Sequence, residues 1–298
     1  MFLENLKMIN ANRIAIGTAQ FGMNYGINNA RGKIPYEEVV QILRYAKESG
    51  IDTLDTAYNY GDSEKVLGET INRNGFNFKV ISKLPKDISL EDVNSSFCES
   101  LNRLKQSKIY GYLIHDFQSF KNQEYILEAL KKLKEQGKIE KIGFSLYYPS
   151  ELDFLFEKKI NVDIIQFPYS IFDQRFEQYF SRLKDMNVEI YVRSVFLQGL
   201  LLKQPEEMPS YFDKIKEKVI ILNRIAENNN MSLSFLCLKF VLMTEFVDKV
   251  VIGVDNIENL KENLQAIEKG IDLDCYNFLK SMKIEDEDII IPYKWQIN

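Results

Sequence analysis

Asp52-Thr53-Leu54-Asp55-Thr56-Ala57-Tyr58-Asn59-Tyr60-Gly61 changes period midway. Thr53 to Asp55 reads as a short buried strand, the residues after it as a polar loop closed by Gly61, and the stretch beyond Gly61 as a helix. The same change recurs along the chain. Candidate strands are Ile14 to Gly17, Thr53 to Asp55, Lys79 to Ser82, Ile109 to Ile114, Lys141 to Phe144, Ile164 to Phe167, Glu189 to Val192 and Lys249 to Ile252, each followed by an amphipathic stretch. Helix starts are marked chemically: Pro35 suits a first turn, Ser89 precedes Leu90-Glu91-Asp92 as an N-cap, and Ser232 and Asn256 stand at cap positions. No Pro/Gly/Ser-rich linker interrupts the alternation. It predicts an α/β fold in a single domain over residues 1–298, a parallel barrel closed on itself. The segment Leu197 to Ser210 and a tail from about Asp272 are expected to be irregular. An open doubly wound sheet is the alternative. Against it, no G-x-G-x-x-G or G-x-x-x-x-G-K loop follows any strand, so a dinucleotide would have to be held differently.

At 45% hydrophobic and 27% charged, the 298 residues have an ordinary globular composition, which excludes disorder, collagen and coiled coil. The net charge is -5, with 38 basic residues interleaved among 43 acidic ones, a pattern that argues against nucleic-acid or membrane-surface partners. No apolar run approaches the ~18 residues of a membrane span, and Met1 to Asn10 has no apolar signal core. A soluble, unexported, cytoplasmic protein is expected. Cys98, Cys237 and Cys275 lie too far apart for a disulfide framework or a zinc motif, and His115 is the only histidine, so no metal site is expected.

In a parallel barrel the carboxyl ends of the strands converge on one rim, where chemistry is found. Here those ends read Gly17-Thr18, Asp55, Lys83, His115, Ser145, Gln166, Arg193-Ser194 and Gly253. Taken singly, Asp55 could be an N-cap, Lys83 a solvated base and His115 a core imidazole. Their shared placement points to function, because solvated residues have no reason to keep step with strands. Asp55 ends its strand and Tyr60 comes five residues later. A phenol with a pKa near 10 is a poor donor at neutral pH, but a nearby Lys83 favours the phenolate, and Asp55 can hold the lysine. Such a pair can protonate a carbonyl oxygen while a hydride reaches its carbon.

From Ile14 to about Ile267 the chain resembles the aldo-keto reductases. The family tetrad is matched by Asp55 and Tyr60 in Leu54-Asp55-Thr56-Ala57-Tyr58-Asn59-Tyr60-Gly61, by Lys83 in Ile81-Ser82-Lys83, and by His115 in Leu113-Ile114-His115-Asp116. The resemblance implies a (β/α)8 TIM barrel that binds NADP or NAD without a Rossmann fold. It implies Tyr60 as general acid and base, Lys83 and Asp55 as its tuning groups, His115 as the group orienting a carbonyl, and a small aldehyde, ketone or alcohol as substrate. It also implies coenzyme contacts from Gly17, Thr18, Ser145, Gln166, Arg193, Ser194, Gly253, Asn259 and Asn263.

Departures from the family matter too. Gly143-Phe144-Ser145-Leu146 keeps the serine of Gly-x-Ser-Asn and loses the amide, and Arg193 stands where a tyrosine often stacks on the nicotinamide. Gly253 and Asn259 occupy the positions of the Lys and Arg that grip a 2′-phosphate, and Asp255 adds repulsion, so NAD(H) is expected to serve at least as readily as NADP(H). Gly17-Thr18-Ala19-Gln20-Phe21-Gly22 resembles members associated with bacterial surface-sugar pathways.

Aromatic residues at the expected rim are Phe21, Tyr25, Tyr58, Tyr147, Tyr148, Tyr169 and Phe196, joined by Tyr293 and Trp295 from the tail. With Asn24, Asn59, Asp116 and Gln118 at the edges they would suit a sugar or a sugar-derived polyol. Two other classes stand beside this reading: a Schiff-base aldolase with Lys83 as nucleophile, and a non-catalytic binding or regulatory protein on the same scaffold.

Overall fold

The computed structural model describes residues 11–265 and 270–297. Met1 to Asn10, read above for a signal segment, and Ile267, where the resemblance ends, lie outside the described residues. The strands are β1 (Ile14–Gly17), β2 (Thr53–Asp55), β3 (Lys79–Lys83), β4 (Ile109–Ile114), β5 (Ile139–Ser145), β6 (Ile164–Pro168), β7 (Glu189–Arg193) and β8 (Lys249–Gly253). Each pairs in parallel with the next and β8 returns to β1, so the sheet is a closed barrel and the open-sheet alternative is excluded. Three strands begin and end where periodicity places them. The others run one or two residues further, and the added ends include Lys83, Ser145 and Arg193. Polar residues do not register as strand in a hydrophobic pattern, but the ladder holds them.

Register turns that extension into a site. Pairing carries Gly17 to Asp55, Asp55 to Ile81, Lys83 to Leu113, Ser145 to Gln166 and Gly17 to Gly253. Side chains alternate across a strand, so residues in step face the same side. Ala15, Ile81, Leu113, Ile164, Tyr191 and Val251 fill the barrel interior as one apolar cluster. One pleat further along each strand, the same face presents the polar rim residues. At the opposite end Asp52 is held by Lys79 at 3.0 Å and Lys249 at 2.5 Å, and Glu189 accepts from Tyr110 at 3.0 Å.

A second, larger apolar layer lies between strands and helices and fixes the helices that return the chain to each new strand. The expected caps are present: Ser89 Oγ accepts from Asp92 N at 3.3 Å, Ser232 Oγ from Phe235 N at 3.2 Å, and Asn256 Oδ1 from Asn259 N at 2.7 Å. Pro35 is the N-cap of the helix Tyr36–Glu48 and precedes its first turn. Leu197 to Ser210 is a chain of short 3-10 turns rather than a regular helix. The tail departs from the expectation of irregularity: Leu273–Lys280 and Glu287–Ile290 are helical, capped by Asp272 and Asp286, with Leu279, Ile289 and Ile290 buried in the outer layer. Among the described residues no helix is long and apolar enough to cross a membrane, and no group of three or more His, Cys, Asp or Glu could hold a metal ion.

Candidate active site

Asp55 and Lys83 meet at the carboxyl ends of β2 and β3. Lys83 Nζ lies 2.7 Å from Asp55 Oδ1 and donates to the Thr56 carbonyl at 2.9 Å, with side-chain exposures of 1% and 5% for the pair. Gln166 Nε2 donates to the other Asp55 oxygen at 2.7 Å, and Ser145 Oγ reaches Gln166 Oε1 at 3.5 Å. A buried carboxylate is tolerable only when its lone pairs are met in this way.

Tyr60 reaches the same place from the loop after β2. Gly61 turns that loop with φ +55°, and a Cβ on Gly22 would lie 1.9 Å from the Tyr60 carbonyl oxygen, so only glycine permits the contact that fixes the loop. Beneath it, Thr56 Oγ1 donates to Ser63 Oγ at 3.0 Å, and Ser63 Oγ reaches the Thr18 carbonyl at 2.8 Å. Lys83 Nζ stands 5.2 Å from the centroid of the Tyr60 ring, and His115 meets that ring edge-on at 5.9 Å between centroids.

The electrostatics correct one expectation. Burial and then the Asp55 carboxylate raise the Tyr60 pKa above its ordinary value, with Arg193 opposing. Lys83 does not prevail over burial and Asp55 in the resting site: it is hydrogen-bonded to Asp55 and Thr56, and no hydrogen bond joins it to Tyr60. Burial also lowers the Lys83 pKa, against the pull of Asp55. Burial, then the charges of Lys83, Arg193 and Lys86, depress the His115 pKa well below the usual imidazole value. The resting site therefore has a protonated phenol beside a neutral imidazole. His115 is half-buried and its Nδ1 is buried with no partner in the protein, unlike a satisfied core histidine.

A cleft of about 450 Å³ opens over these groups. Its lining extends from Asp55, Tyr60 and His115, past Gly17, Thr18, Arg193, Ser194 and Gly253, to Asn259 and Asn263. Lys83, Ser145 and Gln166 lie beneath it rather than on its surface. Ser145 reaches Gln166, which bonds Asp55, and the absence of Lys83 from the cleft lining, with its ammonium tied to Asp55 and the Thr56 carbonyl, argues against a Schiff-base nucleophile. The loop after β7 is strained, with φ of 61°, 45° and 54° at Ser194, Leu197 and Gln198, and of these Ser194 and Gln198 line the cleft.

Several expected rim residues are elsewhere. Phe21 and Tyr169 are fully buried in the outer core, and the Tyr58 hydroxyl donates to Glu99 at 2.7 Å. Trp295 packs on Phe212 and donates to the Ile289 carbonyl at 2.9 Å, while Tyr293 packs edge-on against Tyr147 at 4.9 Å. Asn24 accepts from Lys33 N at 2.8 Å, Asp116 caps the helix Phe117–Asn122, and Gln118 bonds Asn122 at 3.3 Å; Asn59 is likewise absent from the cleft lining. Core packing and ring contacts claimed Phe21, Tyr169, Tyr293 and Trp295, and hydrogen bonds claimed Tyr58, Asn24, Asp116 and Gln118. The cleft instead takes polar edges from Gln20, Asn28, Asn29, Gln198, Asn223 and Glu262, which sequence reading passed over. Their one signal was position, in the loops after β1 and β7 and on helices near the rim.

The model of the aldo/keto reductase family matches residues 13–283. An uncharacterized oxidoreductase of Bacillus subtilis (strain 168), YqkF, is 27% identical over 253 residues, covering 77% of this chain and 82% of its own. L-galactose dehydrogenase of Arabidopsis thaliana is 24% identical over 97% of this chain and 95% of its own. Among solved structures, the holo form of the aldo-keto reductase AKR11C1 from Bacillus halodurans superposes with a TM-score of 0.74 at 22% identity, covering 92% of this chain and 94% of that one.

Proposed function

The chain belongs to the aldo/keto reductase family, and we propose that it is an NAD(P)(H)-dependent oxidoreductase interconverting an aldehyde or ketone and an alcohol. The observation that carries this reading is the meeting of Tyr60, the Lys83–Asp55 pair and His115 at a cleft of about 450 Å³. The coenzyme, when bound, supplies or accepts the hydride. In reduction Tyr60 gives its proton to the carbonyl oxygen, and the raised pKa keeps that proton available across the neutral range. His115, neutral, hydrogen-bonds the same oxygen and sets the approach of the carbonyl. Lys83, held by Asp55, opposes the charge left on the phenolate once the proton has gone.

The coenzyme would lie along the cleft over Gly17, Thr18, Arg193, Ser194 and Gly253, toward Asn259 and Asn263. Ser145 and Gln166 would meet it only after exchanging their present hydrogen bonds. At the Asn259 end the lining carries Asp255 and Glu262 and no Lys or Arg. The Gln20 amide lies 2.6 Å from where a Cβ on Gly253 would stand and reaches Asp255 Oδ1 at 3.4 Å, filling space that a gripping lysine would need. These features support NAD(H) used at least as readily as NADP(H).

For the substrate, Tyr25, Tyr147 and Phe196 offer apolar faces, with Asn28 and Gln198 offering hydrogen bonds at the edges. That mixture, together with a relative named for L-galactose, supports a sugar or sugar-derived polyol. Free Cys98, Cys237 and Cys275 support a reducing compartment, the cytoplasm, and closure of β8 on β1 supports one domain. Mixing the protein with NADH or NADPH and a reactive aldehyde should give single-turnover loss of nicotinamide absorbance. A protein that binds coenzyme yet leaves it unoxidised with every aldehyde would be a binding protein instead.

A further inference from the structure

The Tyr60 hydroxyl has no hydrogen-bond partner among the described residues, so its place is set by ring contacts and by the segment that carries it. On its inner side that segment is tied to β3: Thr56 N donates to the Ile81 carbonyl at 2.8 Å and Tyr58 N to the Lys83 carbonyl at 3.1 Å. On its outer side the grip is Arg103, in the last turn of the helix Leu90–Leu104. Its guanidinium carbon lies 4.0 Å from the centroid of the Tyr58 ring. The Tyr58 hydroxyl donates to Glu99 Oε2 at 2.7 Å, and Arg103 Nη2 donates to the same oxygen at 3.0 Å. Arg103 Nη1 reaches Glu64 Oε2 at 3.4 Å, while Ser82 Oγ donates to Glu64 Oε1 at 2.6 Å. Glu64 follows Tyr60 in the first turn of the helix Ser63–Asn74, and Ser82 immediately precedes Lys83 on β3.

The side chain of Glu64 is 1% exposed, and Arg103 is the one cation paired with it among the described residues. A buried carboxylate stripped of its cation is costly, so charge holds the guanidinium in place. Packing holds its backbone: a Cβ on Gly68 would lie 2.1 Å from the Arg103 carbonyl oxygen, so the two helices touch main chain to main chain there. A planar guanidinium can stack on a ring and donate along its edges at once. Arg103 does both, gripping Tyr58 before Tyr60 and Glu64 after it, and Glu64 is bonded through Ser82 to the strand that ends in Lys83. We propose that Arg103 is a positioning residue for proton transfer, fixing the Tyr60 hydroxyl relative to Lys83 and His115 from outside the barrel. Neither Arg103 nor Tyr58 lines the cleft, so the effect reaches the reaction only through Tyr60. This rests on the reading of Tyr60 as proton donor and deepens it. A displacement of about 1 Å at a reacting group can cost about 10²-fold in rate, which gives so distant a grip its weight.

The test is a double-mutant cycle. Arg103→Met, Arg103→Lys and Tyr58→Leu are each made alone and together with Tyr60→Phe, and all are assayed well below their Tm. Three quantities are read: single-turnover oxidation of NADH by glyceraldehyde, NADH affinity from the fluorescence of bound coenzyme, and the imidazole proton resonances of His115, whose ring meets Tyr60 edge-on. Arg103→Met and Tyr58→Leu should slow the single turnover by about 10- to 100-fold with NADH affinity unchanged. Arg103→Lys, which keeps the charge facing Glu64, should recover part of the rate. None should slow Tyr60→Phe further, because a residue that acts through Tyr60 has nothing left to place. The His115 resonances should shift in Arg103→Met and Tyr58→Leu as the neighbouring ring moves. Tyr58→Leu keeps the buried Glu64 paired, so it decides the matter if Arg103→Met does not fold. An equal further loss in the Tyr60→Phe background, a lowered Tm with unchanged turnover, or unmoved His115 resonances would each overturn the proposal. If the wild type leaves NADH unoxidised, or Tyr60→Phe turns over as fast as the wild type, the proton-donor reading has failed. The His115 resonances then decide the placement alone: a shift in Tyr58→Leu upholds it, and no shift overturns it.

Discussion

Strand β2 is flanked by two acids of opposite fate, Asp52 just before it and Asp55 at its end. Asp52 is 36% exposed and held by Lys249 at 2.5 Å, Lys79 at 3.0 Å and Thr53 Oγ1 at 2.7 Å. Burial alone would raise its pKa, but the hydrogen bonds from Lys249, Thr53 and Lys79 bring it down to about 2. Asp55 is buried and held just as closely by Lys83 and Gln166. The floor closes the barrel with charges that water also screens. The rim uses the same chemistry without water, beside a phenol, an imidazole and a guanidinium that the protein does not fully satisfy. Similar ion pairs thus serve as closure at one end and as a preorganised field at the other.

The largest effect expected is on turnover. Tyr60→Phe should lower kcat by roughly 10²- to 10⁴-fold, the worth of a lost general acid, with coenzyme affinity nearly unchanged. Because burial and Asp55 raise the Tyr60 pKa, the proton donor persists as pH rises, so reduction should hold its rate well into the alkaline range while alcohol oxidation, which needs the phenolate, should speed up there. Near-normal turnover in Tyr60→Phe would break the assignment.

Next comes stability, where the two ends should part. Lys83→Met leaves Asp55 buried without its cation and should cost about 3 to 5 kcal/mol by chemical denaturation. Lys249→Met leaves Asp52 partly in water and beside Lys79, and should cost about 1 kcal/mol or less. Equal losses would erase the distinction between floor and rim.

A smaller effect separates the coenzymes. In matched titrations NADH should bind at least as tightly as NADPH. Installing the missing pair as Gly253→Lys and Asn259→Arg, with Gln20→Ala to clear the space, should move the preference toward NADPH by roughly 10- to 150-fold, the worth of one charge-assisted hydrogen bond. Strong NADPH selectivity in the wild type would contradict the reading of Asp255 and Gly253.

The finest comparison is the pH dependence of folding. The folded pKa of His115 lies below its unfolded value, so the unfolded chain takes up a proton first, and stability is lost as pH falls from about 6.5 toward the folded pKa. Asp52 acts in a lower window: its stabilisation is present above 3.8 and lost as pH falls through about 2. His115→Gln should flatten the Tm profile just below neutrality, and Asp52→Asn should flatten only the acid end. As the one histidine, His115 should give a single imidazole resonance that titrates below the ordinary range.

Strand positions, helix caps, the closed α/β alternation and the residues Asp55, Tyr60, Lys83 and His115 were legible in the chain. Backbone periodicity and capping are local, and strand ends in a barrel share one rim. What only the tertiary structure decided is which groups touch. The holding of Lys83 by Asp55 was expected from the chain, but the structure alone placed Ser145 and Gln166 beneath the cleft and sent Tyr58, Tyr169 and Trp295 to other partners. It also brought Gln20 against Gly253 and left Arg193 without a carboxylate. The physical reason is that spacing along a chain sets which face a side chain takes, whereas its partner, burial and charge state depend on loops that are distant in sequence and meet only when the barrel closes.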